Sequence, residues 1–328
     1  MQAVHAPDAY RAQRHDRVRD VLERGFFARA VPALLARSGG GALLDLGCGD
    51  GLMGRLAGPS LTRYTGVDFR PPGTGLDGEH VLHDLREGLG PIDVEPYDCY
   101  LASFGVASHL RPSQLRRLLA QIARHAGPGA IVALEALGLR SLEWPRLWET
   151  QPGAARTLTY RLGADVEVHP WAPRELAALY EEAGVEPLYA LDRSLQAGPK
   201  LGEPSYWRGL PTLRAALDAL LDGRSDAQPP APRASSERRP PADEAGVAPP
   251  TAEPARDPRA TLAAPLGPLP AGSAAAAHHA LAQRRRRLLD SRPCRVEHGP
   301  ALARAIWALE RGSGGGLGHG LLAVGRVR

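Results

Sequence analysis

Residues 42–51 read Ala-Leu-Leu-Asp-Leu-Gly-Cys-Gly-Asp-Gly. The apolar run 42–48 has the length of a short strand, and it ends in glycines. Residues 52–56 (LMGRL) then resume at helical spacing. A strand, a glycine turn and a helix in that order predict a βα unit in which the backbone turns sharply. Glycines there allow a ligand to approach the backbone N–H groups closely.

Working outward, strand and helix patterns alternate. Strands are expected at 63–69 (RYTGVDF), 80–84 (HVLHD), 97–104 (YDCYLASF), 129–137 (GAIVALEAL) and 185–194. Helices are expected at 112–126, where Leu115, Leu118, Leu119, Ile122 and Ala123 form one stripe, and at 172–183, closed by Gly184. Nearly continuous apolar strands imply a sheet covered by helices on both faces. Before the turn, apolar residues recur at helical spacing over 11–37, with a break or restart expected near Pro32.

Beyond residue 194 the pattern changes. Residues 206–221 read as partly helical. Residues 223–272 are rich in Pro, Ala, Arg, Ser and acids without periodicity, and are expected to be a disordered insertion. Helical stretches at 274–290 and 300–310 follow, and 320–327 (GLLAVGRV) reads as a strand. An apolar strand after such a stretch implies that the C-terminus completes the sheet. The expected organisation is therefore N-terminal helices over 1–41, a core over 42–222, an insertion over 223–273, and completing helices and strand over 274–328. Deletion of 226–270 is expected to be tolerated.

Composition narrows the class. The 328 residues are 43% hydrophobic with a net charge of +4, which fits a globular chain and excludes a fully disordered or fibrous one. No apolar run is long enough to span a bilayer, and the first twenty residues lack the apolar core of a secretory signal. Three cysteines, Cys48, Cys99 and Cys294, are too scattered for a disulfide framework or a metal site. A reduced, cytoplasmic protein without a membrane anchor or a metal is the expectation.

Three features add to the glycine turn. Asp68 ends the second strand, where a carboxylate can accept both hydroxyls of a ribose. Asp84 ends the third, placed to accept from an adenine amino group. The fourth leads to Ser103, Phe104 and Gly105 at the carboxyl edge, where such sheets bind ligands. The spacing GxGxG, with an acid two residues before the first glycine, departs from the GxGxxG of dinucleotide sites.

With these acids, the DLGCGDG motif resembles the class I S-adenosylmethionine-dependent methyltransferases, over about 43–194 plus the terminal strand. The resemblance implies an α/β fold: a seven-stranded doubly wound Rossmann-like sheet, mostly parallel, with the antiparallel last strand inserted beside the fifth and helices on both faces. It implies S-adenosylmethionine as methyl donor. Asp45, Gly47, Cys48, Gly49 and Gly51 would lie beside its methionine part. Asp68 would meet the ribose, Asp84 and Leu85 the adenine, and Phe69 and Ser103 would also contact the donor.

Methyl transfer from a sulfonium is an in-line displacement, so the fold specifies the donor better than the acceptor. Candidate bases are His109, after the fourth strand and like a histidine at this place in many small-molecule methyltransferases; Glu135, an acid in an apolar strand; and His169, before the 172–183 helix. Against these stand a helix-capping or surface histidine for His109 and a paired structural acid for Glu135; His169 is the weaker candidate. Trp171 and Tyr180 are candidates to line an acceptor pocket, and Tyr10, Phe26 and Phe27 to touch donor or acceptor, with core packing the commoner role for such aromatics. A small-molecule acceptor is expected, since 102–110 lacks the Asn/Asp-Pro-Pro-Tyr/Phe motif of many enzymes acting on planar nitrogens. The alternatives are an RNA or protein methyltransferase, or a non-catalytic interaction protein on the same fold. The run Arg284–Arg287 is the strongest basic feature, but it lacks interleaved aromatics, so nucleic-acid binding is disfavoured. Oligomeric state is left open.

Overall fold

A computed structural model describes residues 20–71, 78–92, 94–150, 156–161, 165–198, 273–290, 306–308, 310 and 313–328. The expected helix at 206–221 and insertion at 223–272 lie outside the described residues, as do Tyr10 and Cys294.

Nine strands form. They are β1 (Ala42–Leu46), β2 (Arg63–Asp68), β3 (Glu79–Leu82), β4 (Cys99–Ala102), β5 (Ile131–Leu137), β6 (Leu158–Arg161), β7 (Asp165–Val168), β8 (Val185–Arg193) and β9 (Gly320–Val327). The helices are α1 (Gly25–Ser38), α2 (Leu52–Ala57), α3 (Pro112–His125), α4 (Pro173–Glu182) and α5 (Ser273–Asp290). Seven strands make one sheet in the order β3-β2-β1-β4-β5-β9-β8. β1 pairs in parallel with β2 and β4, and β4 with β5. In this sheet β9 pairs antiparallel with both β5 and β8, with Ala133 opposite Val324 on one side and Leu191 opposite Leu322 on the other. This is the architecture the sequence implied.

Alternate residues of each strand feed opposite faces. Leu43, Cys99, Leu101, Ile131, Ala133, Leu322 and Val324 gather with Phe27, Val31, Leu34 and Leu35 of α1 and Met53 of α2. Leu44, Leu46, Tyr100, Val132, Leu134, Leu321 and Ala323 gather on the other side with Leu115, Leu118, Leu119 and Ile122 of α3 and Leu176, Leu179 and Tyr180 of α4. Tyr180 is a core residue: its hydroxyl donates to the carbonyls of Ala323, at 3.0 Å, and Val132, at 3.3 Å. Tyr180→Phe should lower stability by about 1 kcal/mol, the usual net worth of such a hydrogen bond. A denaturant midpoint shift at constant slope would check it.

Several boundaries differ from the expectation. The N-terminal helix does not break at Pro32. Residues Asp20–Arg24 form a π turn, and α1 then runs through Pro32 to Ser38, with Gly39 in the left-handed conformation ending it. Buried Val31, Leu34 and Leu35 flank the proline and hold the helix across the missing N–H. β1 ends at Leu46, not Cys48, because Gly47 turns the chain with φ 74°. β4 is shorter at both ends than 97–104, and Phe104 (φ 53°) and Gly105 (φ 78°) take the chain away from the sheet. Asp84 does not belong to β3; it accepts from the Arg86 N–H and caps a 3-10 turn, Leu85–Glu87.

The β6–β7 hairpin was not anticipated, although Leu158 and Tyr160, then Val166 and Val168, alternate at strand spacing around Leu162-Gly163-Ala164. Leu158, Val166 and Val168 pack with Leu137 and Trp144 above the end of β5. α5 presents Ala274, His278, Leu281 and Arg285 inward, at helical spacing. His278 bonds the Arg140 carbonyl and stacks on Trp148, and burial pushes its pKa down to about 4. Arg285 donates to Gln196 while Arg284 and Arg287 face solvent, so the arginine run is split between interior and surface. Residues 306–308 are helical, within the expected 300–310 stretch. Among the described residues no helix is long and apolar enough to cross a membrane, and no cluster of metal-ligating side chains occurs.

Candidate active site

The strand order reverses between β1 and β4, which opens a crevice at the carboxyl edge of the sheet. The glycine turn sits there. Gly47 and Cys48 both donate their N–H to the Val67 carbonyl, which stitches the turn to β2. A Cβ on Gly47 would come within 2.6 Å of Val106 Cγ2, so only glycine allows the turn to lie against the segment that follows β4. Gly49 has φ 55° and open space where a side chain would be. Gly51 is left-handed too and starts α2.

Asp68 connects the turn to β2. Its Oδ2 accepts the Gly49 N–H at 2.9 Å and its Oδ1 accepts the Arg70 N–H at 3.0 Å. Each oxygen keeps a lone pair for a ligand hydroxyl. Phe69, next to it, is half exposed, with the Arg70 guanidinium 4.9 Å from its ring centre. Leu82 at the end of β3 is exposed as well. An exposed aromatic and an exposed leucine beside a buried carboxylate suit a flat apolar group attached to a diol. Asp84 holds Arg86 through both oxygens, and this pairing lowers its pKa. Leu85 is buried in the turn that Asp84 caps.

Asp45 lies beneath the turn and is fully buried. Its Oδ2 accepts from the Tyr64 hydroxyl at 3.0 Å, and its Oδ1 has no hydrogen-bond partner. Burial raises its pKa to about 7; the Tyr64 bond opposes this, and the charges of Asp68 and Asp50 add to it. A buried carboxylate short of one partner fits a site that receives a cationic group. The neighbouring Cys48 and Cys99 are free, buried thiols with raised pKa values.

The sign for Asp45 follows from linkage. Its folded pKa lies above the unfolded value of 3.8, so between about pH 4 and pH 7 the folded protein holds the extra proton and stability falls as pH rises. Above about pH 7 the cost of the buried charge is complete. Affinity for a ligand bearing an ammonium group should therefore rise from about pH 6 to pH 8 in the wild type and stay flat in Asp45→Asn. Calorimetry across that range checks it.

Of the candidate bases, the structure brings the chain around His109 and His169 together. His109 closes the 3-10 turn Val106–His109, whose Ser108 Oγ accepts from the Leu137 N–H at 2.8 Å. The His169 N–H donates to the Ser108 carbonyl at 2.7 Å. The β6–β7 hairpin thus carries His169 back to the turn after β4, and burial lowers its pKa. Trp171 is buried beside it, with ring centres 5.4 Å apart.

Glu135 is placed differently. Its Oε1 is 2.5 Å from an Arg193 nitrogen, and its Oε2 accepts the Phe104 N–H at 2.5 Å. The pair is buried, and the Arg193 guanidinium lies 4.2 Å and 4.4 Å from the Phe26 and Phe27 ring centres. The two phenylalanines are core residues under this pair. Ser103, at the β4 edge, is buried and its carbonyl accepts from Val106. The sequence carried no sign of Arg193 as a partner for Glu135, because the two lie on strands separated by β9.

No curated protein matches the chain. Among solved structures, DesVI from Streptomyces venezuelae is 17% identical, covering 61% of this chain and 96% of its own, with a TM-score of 0.43. The 1,6-didemethyltoxoflavin-N1-methyltransferase of Burkholderia thailandensis is 19% identical, with 62% and 88% covered and a TM-score of 0.39. The sugar N-methyltransferase KedS8 from Streptoalloteichus is 16% identical, with 58% and 88% covered and a TM-score of 0.41. The family model of the methyltransferase domain matches residues 10–190, which is more than half of the chain. That match takes in the glycine turn, both acids and the first five strands, and by it the chain belongs to the class I S-adenosylmethionine-dependent methyltransferases.

Proposed function

We propose that this methyltransferase acts on a small-molecule acceptor bound at the carboxyl edge of β4 and β5. The observation that carries the reading is the His169–Ser108 hydrogen bond. It brings the hairpin insert onto the turn that holds His109, which supports a reading in which both imidazoles border one end of the crevice.

In this reading Asp45 and the turn of Gly47, Cys48, Gly49 and Gly51 hold the methionine part of the donor. Asp68 takes the ribose hydroxyls, Phe69 packs on the adenosine, and Asp84 and Leu85 border the adenine. Ser103 completes the edge toward the acceptor. The donor supplies a methyl group already activated by its sulfonium, so the protein's work is alignment. His109 and His169 are then the groups to take a proton from an acceptor hydroxyl, amine or carbon acid; the lowered pKa of His169 keeps it neutral and able to accept. Glu135 has both oxygens engaged and stands behind the β4 turn.

The test is methyl transfer from labelled donor to panels of small phenols, amines and carboxylates, beside a bulk RNA and protein fraction. Turnover of a small acceptor that falls about 100-fold or more in His109→Ala or His169→Ala supports the reading. Labelling confined to RNA or protein sinks it. Unchanged turnover in both variants removes the histidines from the mechanism.

A further inference from the structure

The turn after β4 is strained. Phe104 has φ 53°, a left-handed conformation that an aromatic side chain adopts at a cost, and Gly105 follows with φ 78°. Such a conformation persists where its surroundings hold it. Here the holding group is visible: the Phe104 N–H points at Glu135 Oε2, and Glu135 is fixed from its other oxygen by Arg193. The Phe104 ring meets Phe27 edge to face at 5.3 Å, and the Arg193 guanidinium lies 4.4 Å from the Phe27 ring centre. One buried ion pair therefore joins β5, β8, α1 and the β4 turn.

That turn abuts the glycine turn. Val106, two residues on, occupies the space into which a Cβ on Gly47 would project. If residues 103–105 relaxed to ordinary backbone angles, Val106 would shift against the glycine turn. The pair is also built to tight tolerance, since a Cβ on Gly320 would come within 2.5 Å of Glu135 Oε1.

We propose that Glu135 and Arg193 are positioning residues for donor binding: the pair holds residues 103–106 in the strained turn that shapes the donor side of the crevice. This rests on the donor-site reading above. Neither residue touches the donor. Their effect runs through the Phe104 N–H and Val106.

The chain has four phenylalanines, so selective ¹⁵N-phenylalanine labelling gives four amide signals. The Phe104 signal in the wild type should lie far downfield, as for an N–H bonded to a carboxylate. The double variant Glu135→Leu/Arg193→Met removes both charges together and avoids stranding one of them. Glu135→Gln is the milder companion. In the folded double variant the Phe104 signal should move upfield and S-adenosylhomocysteine should bind about tenfold or more weakly. Tyr180→Phe, which removes a buried hydrogen bond on the opposite face of the sheet, should lose stability and keep its affinity.

If the double variant is folded and binds as the wild type does, or loses no more affinity than Tyr180→Phe, the proposal fails. If the double variant does not fold, Glu135→Gln decides by the same two readings. If the wild type itself does not bind S-adenosylhomocysteine, the donor-site reading falls and the proposal falls with it. The Phe104 signal still tells whether the pair holds the turn, so the two failures are distinct.

Discussion

Asp68→Ala should reduce S-adenosylhomocysteine affinity by roughly 100-fold or more. Ligand hydroxyls on this carboxylate make charge-assisted hydrogen bonds, each of about 1.5–3 kcal/mol, and two of them account for a factor of that size. The substitution also releases the Gly49 and Arg70 N–H groups that Asp68 now holds, so the turn itself loosens. Asp68→Asn keeps one acceptor oxygen and should fall between the two. Calorimetry on folded protein is the measurement. Affinity within about threefold of wild type would mean that the ligand does not use the end of β2.

Removing residues 316–328 should unfold the domain. β9 lies between β5 and β8 and pairs with both, so its loss strips hydrogen bonds from two strands at once. It also takes Leu321, Leu322, Val324 and Val327 out of the interior. At about 1.5–3 kcal/mol for each buried apolar side chain, the loss of about 6–12 kcal/mol is comparable to the roughly 5–15 kcal/mol that holds a domain together. Circular dichroism and thermal melts of the truncated chain check this. A cooperative melt with donor binding intact would contradict the central place of β9.

The strands around the candidate site were legible because each is short, apolar and punctuated. Glycines and Asp68 mark the carboxyl ends of the first two, Asp84 follows the third by two residues, and the heptapeptide from Asp45 to Gly51 leaves little room for another fold. Strand ends were read two or so residues long, because hydrophobicity continues past the point where φ turns positive. Pro32 was read as a break because local propensity disfavours it, but packing of Val31, Leu34 and Leu35 outweighs one missing hydrogen bond. The β6–β7 hairpin carried the right alternation in segments too short to stand out.

The sequence alone therefore determined the α/β architecture and that the C-terminal strand completes the sheet, and it supplied the residues proposed for the donor. These rest on local signals: glycine where the backbone must turn left-handed, alternation or continuity where a sheet is covered, an acid where a strand stops. Tertiary structure decided the roles of residues whose chemistry depends on a distant partner. Glu135 is an acid in an apolar strand in either view, but only the fold sets Arg193 across β9 from it and Phe104 above it. Likewise His169 meets the His109 turn because a hairpin folds back, and Asp45 acquires a pKa near neutrality because burial surrounds it. Desolvation and ion pairing act through space, and spacing along the chain does not encode them.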